Sequence, residues 1–292
     1  IVMGEEFKSQ IISGTMTWGK WGMNLSTSEM RDLIEYNVEI GINSFDHADI
    51  YGGYTTEAEF GDALKFSTIQ REKIKLITKC GIQYPCELRP GKIKYYDYSK
   101  KHIRFSVENS LKNLKTDYID IFLLHRPSPL MNPYEIGSII SDLIDEGKIL
   151  EFGVSNFKES QIELLKSCSD IKYNQIECSV SNNDSFSNGT IDYCQLKKIK
   201  IMAWAPLGGY FKTNNEKKVR LKNILEKHCQ KYSCNMNQLL LAWLLKHPTG
   251  ISPVIGTTRK KRLLSSVKAL LINIEIVDWF EILEASNGKK IP

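Results

Sequence analysis

Short apolar runs of strand type and longer stretches of helical periodicity alternate about eight times along this chain of 292 residues. That alternation restricts the fold more than any other feature, because parallel strands joined by helices are the ordinary solution for it. Several helix ends are written into the sequence. Ser26 and Glu29 make a capping box ahead of Met30, Leu33, Ile34 and Val38, and Gly41 stops that helix. Asn132 caps and Pro133 opens another, whose face is Ile136, Ile139, Ile140 and Leu143 and whose stop is Gly147. Further helices are expected from Thr56, from Ser99, after Ser155-Asn156, near Ile191, over 217–231 and 236–246, and from Thr257.

The strands read as Ser13–Gly19, Ile42–Phe45, Lys73–Lys79, Tyr118–His125, Ile149–Val154, Ile171–Ile176, Ile199–Ala203 and Ile251–Ile255. Eight such units in this length fit a closed (β/α)8 TIM barrel better than an open sheet. The expectation is a single α/β domain over residues 1–292, with a short N-terminal hairpin in residues 1–12 plugging the barrel bottom and extra C-terminal helices. No GxGxxG follows a strand, so a Rossmann site is not supported.

Composition narrows the setting. Hydrophobic residues at 42% and charged ones at 25% suit a soluble globular protein. The longest purely apolar run, Leu239 to Leu245, is far short of the roughly 20 residues of a membrane span, and no signal-peptide pattern is seen. Seven scattered cysteines, an odd number without CxxC or Cys/His metal spacing, argue against a disulfide framework and for a reducing compartment, and no metal is expected. The expected location is cytoplasmic. A net charge of +5 comes from interleaved acids and bases, which points to neither nucleic acid nor membrane as partner.

Three successive strands end in polar or ionisable residues. Phe45-Asp46-His47-Ala48-Asp49-Ile50-Tyr51 breaks into Gly52-Gly53, Lys79 closes the next strand before Cys80-Gly81, and His125 closes the fourth before Arg126-Pro127. In a parallel barrel Asp46, Tyr51, Lys79 and His125 converge at the carboxyl rim, where such folds build their sites. A free phenol titrates near 10, and an ammonium against its oxygen favours phenolate and lowers that value. Lys79 can supply the ammonium and Asp46 its counter-ion, while His125 orients a substrate oxygen or shares in proton transfer. Taken singly, a strand-end Asp or Lys reads as a surface ion-pair partner and a strand-end His as a packed residue. Their joint occurrence outweighs those readings.

With these residues in place the chain resembles an aldo-keto reductase. The likeness runs from about Gly14 to the C-terminal segment, through Asp46–Gly53, Ile77–Gly81, His125-Arg126-Pro127, Gly153–Phe157 and Ala205–Gly209 in family order and spacing. His47, Cys80-Gly81 and the run His125–Met131 look most like the bacterial YdhF-type oxidoreductases. The resemblance implies an NADPH-dependent carbonyl reductase with Tyr51 as general acid, Lys79 and Asp46 tuning it and His125 at the substrate oxygen. It implies a cofactor site in which Ser155, Asn156 and Gln175 hold the carboxamide and Trp204 stacks on the nicotinamide, with Pro206, Leu207 and Gly208 in the loop that follows. Trp204 also has a plain reading as a core aromatic.

Arg259, Lys260, Lys261 and Arg262 have an argument of their own. Four cations at a helix N-terminus oppose the helix dipole unless an anion sits there, and a 2′-phosphate is such an anion. The alternative is that the four fan into solvent. By family position Arg262 looks like the phosphate-binding arginine and Thr257 its hydroxyl partner, with Thr258 beside it. Gly256, Ser265 and Ser266 depart from common family choices, which leaves NADH as a second cofactor to test. Trp18, Trp21, His47, the 86–98 loop and the 207–215 loop, with Lys212, Asn214 and Asn215, are expected to wall the pocket, favouring an aromatic or apolar small-molecule carbonyl. A regulatory nucleotide-binding module with little turnover is the rival from another class. A phosphate-binding isomerase fits the Ser155, Asn156 and Gln175 set less well.

Overall fold

The computed structural model describes residues 10–211 and 216–292. The chain runs β1 (Ile12–Gly14), α1 (Thr27–Glu39), β2 (Ser44–Asp46), α2 (Thr56–Lys65) and β3 (Lys75–Cys80), then the short strands β4 (Ile82–Gln83) and β5 (Tyr95–Tyr96). It continues through α3 (Lys100–Leu114), β6 (Ile119–Leu124), α4 (Pro133–Asp145), β7 (Ile149–Ser155), α5 (Glu159–Lys166), β8 (Tyr173–Glu177), α6 (Thr190–Leu196) and β9 (Lys200–Trp204). Two helices, α7 (Glu216–Lys231) and α8 (Met236–Leu245), precede β10 (Ser252–Ile255), α9 (Lys260–Lys268) and α10 (Ile276–Asn287).

Eight of the strands close a parallel barrel in the order β1, β2, β3, β6, β7, β8, β9, β10 and back to β1. The period of two along each strand sorts the side chains. Ile12, Ile77, Ile121, Leu123, Tyr173, Met202 and Val254 fill the interior. Their neighbours Leu76, Phe122, Phe152, Ile176 and Ile201 point outward under the helices. Gly153 is a packing requirement, since a Cβ there would lie 2.7 Å from the Tyr173 carbonyl oxygen on the next strand.

The helix signals act as their chemistry demands. The Ser26 hydroxyl accepts from Glu29 N at 3.3 Å while the Glu29 carboxylate accepts from Ser26 N at 2.8 Å, and Gly41 takes φ 90°. Asn132 accepts from Tyr134 N at 3.0 Å ahead of Pro133, and Gly147 ends α4 at φ 68°.

Four expectations need amendment. The helix after β7 is capped by Lys158, not by Ser155-Asn156. Ser155 stays in the strand, its hydroxyl donating to Gln175 O at 2.9 Å, and Asn156 turns out of it at φ 63°. The helix after β10 begins at Lys260 with Arg259 as its cap, because Thr257 is spent on the turn, its hydroxyl accepting from Arg259 N at 3.3 Å. The segment before α3 contains an antiparallel pair, Ile82 with Tyr96 and Gln83 with Tyr95, too short to leave a periodic trace. Ile12, read as part of an N-terminal hairpin, belongs to β1. Residues 1–9 of that hairpin, with Lys212, Asn214 and Asn215, lie outside the described residues. Among the described residues no helix is long and apolar enough to cross a membrane.

Candidate active site

The strand pleat decides which residues meet. Lys79 stands two residues beyond the interior Ile77, His125 two beyond Leu123, Gln175 two beyond Tyr173 and Trp204 two beyond Met202. All therefore project from the inner face at the carboxyl ends of their strands. Asp46 ends β2 and is buried, as is Lys79, whereas Tyr51 and His125 keep some exposure at the rim.

Lys79 is the hub. Its Nζ donates to Asp46 Oδ2 at 2.8 Å, to His47 O at 2.7 Å and to the Tyr51 hydroxyl at 3.2 Å. Burial works to lower the ammonium pKa, but the contacts with Asp46 and Tyr51 outweigh it and leave the value raised, so Lys79 is held charged. The Tyr51 phenol is pushed above its ordinary value. Burial is the largest cause; Lys79 opposes it, and Asp46 adds to it. The expectation that the lysine would lower the phenol is thus met in sign but not in net effect. Tyr51 therefore carries its proton.

The His125 ring lies 6.2 Å from the Tyr51 ring, centroid to centroid. Burial first, then Lys79, Arg126 and Lys94, hold its pKa well below the usual histidine range, so the ring is neutral. Its Nδ1 finds no hydrogen-bond partner among the described residues. Beside it, Asn156 donates to His125 O at 3.5 Å and to Ser155 Oγ at 2.8 Å, and Trp204 Nε1 donates to Asn156 Oδ1 at 2.9 Å. Gln175 joins this set to the buried ion pair, its Nε2 donating to Asp46 Oδ1 at 2.7 Å.

The other predicted residues divide. Pro206 is buried; Leu207 is partly buried and packs on both outer core clusters. Gly208 takes φ 54°, and a Cβ there would meet Ser179 Oγ at 2.3 Å. Thr257, Thr258 and Arg262 follow β10, with Thr17 Oγ1 donating to Gly256 O at 3.0 Å to tie that turn to the loop after β1. The four cations from Arg259 to Arg262 are exposed and, among the described residues, join no ion pair. Asn235 and Asn237 donate to Ser265 and Ser266.

Trp18 and His47 do not wall a pocket. Both have zero exposure. Trp18 packs on Phe45 and Phe60, and His47 lies edge-on to Phe60 at 4.4 Å with Nδ1 on the Thr15 hydroxyl at 2.9 Å. Burial and then Lys79 lower the His47 pKa to about 3. Trp21 does reach the rim, 37% exposed, 6.3 Å from the Tyr51 ring and 5.3 Å from Tyr84.

Sequence reasoning passed over Asp49 and Glu57. Both are buried behind the Tyr51 loop, Asp49 accepting from the Ser106 hydroxyl at 3.2 Å and Glu57 from Thr78 at 2.6 Å and Ser110 at 3.0 Å. Burial and then Glu57 push Asp49 up to about 8. A short acid inside an otherwise apolar loop was the available signal. Tyr98 was also missed. Its hydroxyl accepts from Arg126 N and donates to Arg126 O, fixing the backbone beyond His125.

An eight-stranded parallel barrel with a buried carboxylate–ammonium pair beneath a rim tyrosine and a neutral histidine is the architecture of a barrel oxidoreductase. The chain belongs to the aldo/keto reductase family, whose model matches residues 10–287. Among bacterial relatives it is 42% identical to the uncharacterized oxidoreductase YcsN of Bacillus subtilis (strain 168), over 97% of this chain and 96% of that one. It is 36% identical to a 6-dehydroglucose reductase of Agrobacterium fabrum (strain C58 / ATCC 33970), over 94% of this chain and 95% of that one. It is 35% identical to oxidoreductase YdhF of Escherichia coli (strain K12), over 99% of this chain and 97% of that one. The resemblance to YdhF-type oxidoreductases read from the motifs is thereby borne out.

Proposed function

We propose that this protein is an NADPH-dependent carbonyl reductase in which Tyr51 delivers a proton to the carbonyl oxygen. The observation that carries the reading is the placement of Lys79 Nζ, 2.8 Å from Asp46 and 3.2 Å from the Tyr51 hydroxyl, with neutral His125 facing the same ring. A bound nicotinamide nucleotide supplies the hydride. Everything else is the work of this chain. Tyr51 holds its proton in the resting site because burial raises the phenol, and as negative charge develops on the substrate oxygen that proton moves across to it. Lys79 then stabilises the phenolate left behind, and Asp46 keeps Lys79 charged. A neutral imidazole at His125 orients the oxygen without introducing a competing charge.

The donor set suits such a nucleotide. Trp204 leaves part of its ring open and is locked in orientation by Asn156. Ser155, Asn156 and Gln175 would hold the carboxamide, and Pro206, Leu207 and Gly208 would border the nucleotide. Thr257, Thr258 and Arg262, in a cluster of cations without acids, would take the 2′-phosphate. The name of the Agrobacterium relative adds a reductase of a dehydro sugar to the support. The substrate wall is Trp21 with Tyr84 rather than Trp18 and His47.

The test is consumption of NADPH, and separately of NADH, with benzaldehyde-type substrates, comparing the native protein with Tyr51→Phe. Native turnover that falls by about 10²-fold or more in the variant is expected for loss of a general acid. Equal cofactor binding without turnover in either protein would sink the enzyme reading and leave a regulatory module.

A further inference from the structure

Beyond the Lys79–Asp46 pair, one cation beside the candidate site has no acid within ion-pair distance among the described residues. Arg126 follows His125 directly, and its backbone is pinned on both sides, N–H to the Tyr98 hydroxyl at 3.1 Å and carbonyl accepting from it. From that fixed point the guanidinium lies 5.7 Å over the Trp204 ring, and the residue is partly exposed. Among the described residues it joins no ion pair. The nearby Asp46 is already taken by Lys79, and Asp49 is sealed behind the Tyr51 loop. A partly desolvated guanidinium fixed beside a reaction site without a carboxylate is an arrangement suited to an external oxyanion. Trp21 and Tyr84 supply an apolar face beside Tyr51.

We propose that Arg126 reads an anionic group on the substrate, so that the carbonyl compound reduced here is an aldehyde or ketone carrying a carboxylate or phosphate, not a neutral apolar one. The inference rests on the carbonyl-reductase reading and revises the apolar substrate class expected from the sequence. Arg126 is a specificity residue in this account. Trp21 and Tyr84 carry the hydrocarbon part of the substrate, and Tyr51 and His125 the carbonyl oxygen.

The experiment compares 4-carboxybenzaldehyde, its methyl ester and 4-formylphenyl phosphate with native protein and with Arg126→Gln, at low and high salt. The native protein is expected to favour one of the anions over the ester by about tenfold or more in kcat/KM, chiefly through KM, with the better anion identifying carboxylate or phosphate. In Arg126→Gln that ratio collapses toward one, and in native protein it shrinks as salt rises, a readout that does not depend on the variant folding well. An ester reduced as efficiently as both anions overturns the proposal. So does a preference that survives in the variant, or a rise in KM for NADPH that is the same with every aldehyde, which would assign Arg126 to the cofactor. If the native protein reduces none of the three, the carbonyl-reductase reading itself fails and this proposal falls with it.

Discussion

Gln175 and Asp46 meet across the barrel: the Gln175 amide, on β8, donates to Asp46 Oδ1 at 2.7 Å, on β2. The other carboxylate oxygen takes Lys79 at 2.8 Å. One acid therefore couples the group proposed to hold the carboxamide to the group proposed to tune the proton donor. Gln175→Leu leaves a buried carboxylate oxygen without its donor, which costs about 1–3 kcal/mol. Urea unfolding should register that loss, and NADPH titration should show weaker binding. Unchanged stability and affinity would mean that the contact is incidental.

Removing the hub should be more severe. Lys79→Met strands Asp46 in the interior without a counter-ion, and breaking such a buried pair costs about 3–5 kcal/mol. The fall should appear in chemical denaturation at neutral pH, together with loss of turnover. Asp46→Asn in the same background should recover part of the stability but none of the activity, since the charge is relieved and the ammonium is still missing.

Asp49 predicts a pH effect whose sign is fixed by its raised value of about 8 against an ordinary carboxylate near 3.8. Between about pH 4 and pH 8 the folded protein keeps a proton here that the unfolded chain has released. The contribution of this group is thus fully present below about pH 4 and lost as pH rises through about 8. Asp49→Asn, which cannot ionise, should lose stability less steeply over that window and gain on the native protein toward pH 8. Parallel stability curves for the two proteins across pH 5 to 8.5 would contradict this.

Arg262 tests the cofactor end. It is exposed at the start of α9 within four cations that join no ion pair among the described residues. Arg262→Ala should raise KM for NADPH by about tenfold or more and leave KM for NADH nearly unaltered, because the 2′-phosphate alone distinguishes the two. Equal effects on both cofactors would place the arginine elsewhere in the site, and no effect would return the cluster to solvent.

The sequence by itself determined the barrel and the set of residues proposed for the chemistry. Strand and helix periods, the Ser26–Glu29 box and the Asn132-Pro133 start are local properties, fixed by residues within a turn or two of each other. Asp46, Lys79 and His125 were legible as strand ends because a barrel sends all its strand ends to one rim. Direction within a loop was not legible. His47 and Trp18 sit beside site residues in the chain but turn into the packing around Phe60, and only the path of the folded backbone decides that. The net pKa of Tyr51 was beyond reach for a similar reason: burial competes with Lys79, and burial is a property of the assembled rim. The Gln175–Asp46 bond joins residues 129 apart in the chain, and the position of Arg126 over Trp204, with no ion pair among the described residues, follows from where the folded chain puts its acids. Contacts of this range leave no periodic trace in a sequence; closure of the barrel creates them.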